Sequence, residues 1–140
     1  MAIGRRNAVT NSSGSLEISG AVAGAAIRQG AAVGVVPNAG SPEVQEVSAG
    51  SNGSSFLGFS LGNYSLGDTV RVLTVRGSTV TPIVENNSLL NSGSRVFLSS
   101  TNGEVTETAP MGSNRTIIQV GVSSTTDTIL LITDFRVRHT

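Results

Sequence analysis

Gly93-Ser94-Arg95-Val96-Phe97-Leu98 sets a turn residue three positions ahead of a run with apolar residues at alternate places. The pattern occurs again at Gly30-Ala-Ala-Val33-Gly-Val35 and at Gly67-Asp-Thr-Val70-Arg-Val72. Glycine reaches backbone conformations that other residues avoid, and residues at offsets three and five share one face of a pleated strand. Each unit therefore predicts a turn that launches a half-buried β-strand. The spacing between units is unequal, which argues against a solenoid of fixed period and for one compact body.

Working outward, alternation continues through 33–36, 43–47, 56–59, 69–75, 79–84, 95–99, 116–122 and 128–133, about eight short strands. Clusters of Asn, Gly, Ser and Pro separate them, as at Asn38-Ala-Gly-Ser-Pro42 and Gly50-Ser-Asn-Gly53. Asn102-Gly103, between Val96-Phe-Leu98 and Val105-Thr106, predicts a hairpin with a type I′ turn. The expected fold is all-β, a single compact β-sandwich or β-barrel-like (β-tulip-like) body.

Residues 1–20 are rich in Ser, Asn and Gly and offer little to bury. They read as an extended N-terminal arm ahead of the all-β body, residues 21–140, with room for a short strand at Leu16-Glu17-Ile18. Alanines in 21–29 favour a helix, but Gly20, Gly24 and Gly30 limit it to a single turn. The small apolar segment from Gly20 to Val36 is hard to hide in so small a body, so packing against a second copy of the chain is expected there.

The 140 residues are enough for a core without a staple, and there is no cysteine to make a disulfide or a thiolate ligand. Nine arginines, with no lysine, balance nine carboxylates to a formal net charge of zero. Apart from Arg5-Arg6 and Arg136-Val-Arg138 the arginines are scattered singly, which argues against nucleic acid as a main partner. No run approaches the ~20 apolar residues of a membrane helix. Arg5-Arg6 is followed by polar residues where a secretion signal needs an apolar stretch, so neither a membrane nor a secretory route is expected.

Candidates for chemistry are few. The single histidine, His139, is the penultimate residue, where little can hold a general base in place. A serine nucleophile would have no base to activate it. Glu43 and Glu46, like Glu104 and Glu107, are three apart and point to opposite faces of a strand. No calcium-loop, phosphate-loop or dinucleotide signature occurs, so no catalytic, metal or cofactor residues are expected.

The run Leu90-Asn-Ser-Gly93-Ser-Arg-Val96-Phe97-Leu98-Ser99, then Gly103-Glu-Val-Thr106, Pro110 and Gln119-Val-Gly121-Val122, resembles the C-terminal half of bacteriophage capsid cement (head decoration) proteins. Ile27-Arg-Gln-Gly30-Ala-Ala-Val33-Gly-Val35 and Gly67-Asp68-Thr-Val70-Arg-Val72 resemble that family's earlier strand entrances, and the resemblance spans roughly residues 27–132. It implies a non-enzymatic virion protein on the outer capsid surface, acting as a homo-oligomer, commonly a trimer. Such a protein cements neighbouring subunits of the major capsid protein and stabilises the head. On this reading the arm, with Arg5, Arg6 and Asn7, is the candidate capsid contact. Similar runs also resemble phage fibres, so the alternative is a fibre or tail-associated adhesion domain binding a host surface or glycan. One Tyr, four Phe and no Trp give that alternative few platforms for sugar.

Overall fold

The computed structural model describes residues 15–38, 41–112 and 115–139. The chain is all-β. Strands β1 (Ser15–Ala23), β2 (Ala32–Asn38), β3 (Ser41–Glu46), β4 (Phe56–Ser60) and β5 (Thr69–Leu73) close a barrel in the order β1-β3-β2-β4-β5. Strands β6 (Thr79–Val80), β7 (Ile83–Val84), β8 (Arg95–Leu98), β9 (Glu104–Thr106), β10 (Arg115–Ser123) and β11 (Ile129–His139) form a second sheet in the order β6-β11-β10-β8-β9-β7. The described residues thus carry eleven strands, more than the eight or so that alternation marks.

The glycine units form one kind of turn. Gly30, Gly67 and Gly93 have φ of +83°, +89° and +87°. In each turn the residue after the glycine donates its N–H to the carbonyl three residues back: Ala31 to Arg28 at 3.1 Å, Asp68 to Ser65 and Ser94 to Asn91 at 3.0 Å. Positive φ at the third position of such a turn is the type II arrangement. Gly77, with φ +89°, repeats it ahead of β6. The glycine N–H docks the turn on a neighbouring segment, Gly67 on Ala23 O at 2.8 Å and Gly93 on Ser123 O at 2.7 Å. Val33, Val70 and Val96, at offset three, are fully buried.

Three expectations need correction. The run 79–84 is not one strand, because Pro82 has no N–H for a ladder. Its halves β6 and β7 are the opposite edges of the second sheet, yet only Thr81 and Pro82 separate them, so that sheet curls almost onto itself. The hairpin β8–β9 pairs as expected, Leu98 opposite Val105, but φ is positive only at Gly103 and not at Asn102. That excludes type I′, which needs both residues left-handed. Finally, Ala21–Ala23 continue strand β1 rather than a helical turn.

Leu16-Glu17-Ile18 lies within β1, which runs on past residue 20 and sets Leu16 opposite Val72 of β5. Strand β1 closes the barrel by pairing in parallel with β3, Val22 opposite Glu43.

Two cores divide the apolar residues. Ala21, Ala23, Ile27, Ala31, Val33, Val44, Val70 and Val72 fill the barrel. A five-stranded barrel is narrow, so its interior takes small side chains. This is the physical reason for the small apolar character of 20–36: Ala21, Ala23, Ile27 and 31–33 are buried within the chain's own cores, while Val22 stays 40% exposed. The larger core holds Phe56, Phe59, Leu90, Val96, Leu98, Ile118, Val120, Ile129 and Leu131 between barrel and sheet, with Phe56 and Phe59 edge to face at 5.5 Å. Neighbouring residues of one strand serve different cores, Ala32 and Val33 in β2 and Val72 and Leu73 in β5. Strands buried on both faces lose the clean alternation of a half-solvated strand.

Candidate interaction surface

A polar group centred on Arg28 joins the barrel to the sheet. Arg28 sits in the type II turn before β2, and its backbone N–H donates to Glu46 Oε2 at 2.9 Å. Its guanidinium grips the same carboxylate with Nε at 3.1 Å and Nη2 at 2.8 Å. Nη2 also donates to the Asn102 carbonyl at 2.8 Å, and Nη1 approaches Glu104 Oε2 at 3.4 Å. The Glu46 hydrogen bonds hold the Arg28 pKa above its ordinary value, against a smaller opposing effect of burial. The two carboxylates thus meet on a permanent cation, and the three groups form a clamp between barrel and sheet.

Backbone bonds reinforce the same joint. Gly103 donates to Val47 O at 2.8 Å and accepts from Ala32 N at 2.9 Å, while Ala49 donates to Ser99 O at 2.7 Å. Buried Ser99 donates through Oγ to Glu85 and accepts from Thr101 N at 3.0 Å, so its hydroxyl orders the β8–β9 loop.

The other carboxylates expected to diverge do so. Glu43 accepts from Gln45 Nε2 at 3.0 Å on the barrel, whereas Glu107 takes both the N–H and the side-chain amide of Asn91, at 2.6 and 3.0 Å. Among the described residues no group of three or more His, Asp or Glu is placed to hold a metal. The backbone of His139 pairs with Arg115 at the far end of the β10–β11 ladder. Arg5, Arg6 and Asn7 lie outside the described residues. Among the described residues no helix is long and apolar enough to cross a membrane.

Three shallow clefts among the described residues hold about 180, 270 and 200 Å³. Each is below the roughly 300–1,000 Å³ of a small-molecule site. The first is walled by Leu89 and Glu107, the second by residues 49–54 and Thr116, and the third by Leu61 and Val80 at the seam between barrel and sheet. Loop residues Leu66, Leu89 and Met111 are 72–78% exposed, scattered singly over the surface.

Neither the Arg28 clamp nor the cleft at 49–54 is legible in the sequence. Arg28 is 18 residues from Glu46 and 76 from Glu104, and no motif links them. No protein-family model matches the chain, no curated protein matches it, and no solved structure matches it.

Proposed function

We propose that this protein is a non-enzymatic structural component of a phage virion that binds the outer surface of the capsid, cements neighbouring major capsid subunits and stabilises the head. The observation that carries this reading is the convergence of the segments resembling the capsid cement family. Residues 95–98, 104–106 and 119–122 come from separate parts of the sequence yet lie side by side on β8, β9 and β10. They make one continuous frame, which supports reading the resemblance as that of a folded unit. The double core and the Arg28 clamp support a body rigid enough to bridge subunits. A small homo-oligomer, with a trimer favoured, is the assembly proposed on the capsid, and the arm with Arg5, Arg6 and Asn7 is its proposed anchor.

The test mixes purified protein with undecorated capsids of the parent phage, then measures binding stoichiometry and the temperature of capsid disruption. Saturable binding with a raised disruption temperature is expected. Absence of binding, or binding without stabilisation, would overturn the reading in favour of an adhesion domain.

A further inference from the structure

Strand β11 opens with Ile129-Leu130-Leu131-Ile132, an unbroken apolar run, and β10 beside it carries Ile117-Ile118 and Val120-Gly-Val122. A strand with one wet face alternates apolar and polar residues, whereas a continuous apolar run is the pattern of a strand covered on both faces. The inner face is covered by the chain itself. Ile118, Val120, Ile129 and Leu131 are buried in the larger core, together with Val96 and Leu98 of β8.

The alternate residues point away from that core, and the ladder registers bring them side by side. Leu130 lies opposite Val122, Val122 opposite Arg95, and Gln119 opposite Phe97. Phe97, Ile117, Val122 and Ile132 are partly exposed on this outer face, and Leu130 is 37% exposed. They form an apolar band across β8, β10 and β11. Gln119 in its middle turns its amide onto its own strand, Nε2 to the Gly121 carbonyl at 3.4 Å. The arginines stand at the two ends of β10, Arg115 as its first residue and Arg95 opposite Val122 near its last. A centre poor in charge with arginine at the margin is the make-up of an interface core and its rim.

We propose that this band is the contact between copies of the chain, the outer face of the second sheet packing against the same face of another copy. Apolar sheet faces stack at ~10 Å with their side chains interdigitated, and a copy supplies a matching face by symmetry. Strands ~4.8 Å apart and nine residues of β10 at ~3.4 Å each give about 400 Å² for the three central strands and up to roughly 700 Å² with the edge strands β6 and β9. Two copies together therefore bury an area that brackets the roughly 1,000 Å² expected of a biological interface. The first 14 residues are a poorer cover, because Met1, Ile3 and Val9 are their only large apolar side chains. The assignment gives the proposed homo-oligomer its contact and rests on that part of the reading alone, not on a capsid.

The test is analytical ultracentrifugation of the full-length protein at micromolar concentration without capsids. An oligomer is expected. Leu130→Lys should weaken association at least about tenfold, because the contact would then bury an unpaired charge. Leu66→Lys, on an exposed turn of the barrel outside the band, should leave association unchanged. Should Leu130→Lys unfold, the double variant Val122→Thr with Leu130→Thr keeps residues that strands favour and should also weaken the oligomer. Deletion of residues 1–14 should preserve it. A monomeric parent protein, undiminished association of the folded band variants, or association lost with residues 1–14 would each overturn the assignment.

Discussion

Arg28 Nη2 lies 2.8 Å from Glu46 Oε1 and 2.8 Å from the Asn102 carbonyl, so one guanidinium ties the last residue of β3 to the turn between β8 and β9. It is the side-chain counterpart of the backbone bonds through Gly103, and both cross from barrel to sheet.

Replacing Arg28 with Met keeps the aliphatic stem and removes every donor. The Arg28 side chain is 47% exposed, so the loss should be modest, about 1–2 kcal/mol, and urea unfolding should show it as a lower midpoint. An unchanged midpoint would mean that the clamp adds nothing. The pH dependence has a definite sign. A cation whose folded pKa is raised contributes fully below its unfolded value and loses that contribution only as pH rises through the folded one. The deficit of Arg28→Met should therefore be equal at about pH 7 and about pH 9.

Gly103→Ala tests the same joint from the other side. With φ at +78°, a side chain there is strained, and its Cβ would collide with the Glu46 carboxylate and the Arg28 guanidinium. The two substitutions should couple, with a double-mutant-cycle energy of about 0.5–3 kcal/mol. Strict additivity would show that the turn and the clamp act independently.

The turn glycines separate backbone strain from collision. At Gly67 a Cβ meets nothing within 4 Å, so Gly67→Ala isolates the left-handed penalty, about 1–2 kcal/mol. At Gly30 a Cβ would lie 2.6 Å from the Thr81 carbonyl, and Gly30→Ala should cost at least about 1 kcal/mol more than Gly67→Ala. Equal urea midpoints for the two variants would show that the Thr81 backbone gives way freely.

Deleting residues 1–14 stops just short of β1, which begins at Ser15. The circular dichroism spectrum should keep its β character and the unfolding midpoint should hold, while occupancy on capsids falls. Full occupancy by the truncated protein would remove Arg5, Arg6 and Asn7 as the anchor.

Much of the fold was legible because its signals are local. Glycine followed by valine at offset three marks β2, β5 and β8 and the buried faces of Val33, Val70 and Val96, since a turn and a pleat need only neighbours in the chain. Pro82, within 79–84, carried enough information to divide that run, through the missing N–H. The small residues of 20–36 were visible as well, but their meaning was not. Alanine and valine are small for a narrow barrel or for a close symmetry contact alike, and only barrel closure distinguishes the two.

That the chain is all-β, and where the glycine-launched strands β2, β5 and β8 begin, follow from the sequence by itself, because periodicity and turn chemistry act over a few residues. Which strands meet was decided only in three dimensions. The alternation of β1 does not say that it pairs with β5 on one side and in parallel with β3 on the other, nor that β6 and β7 end on opposite edges of one curled sheet. The same holds for Arg28 and Arg115, two arginines alike in sequence. One meets Glu46 and Glu104 from distant strands, and the other meets Ser100 and the bare backbone of Gly50. A side chain's chemistry depends on neighbours that long-range pairing supplies, and local pattern carries no record of them.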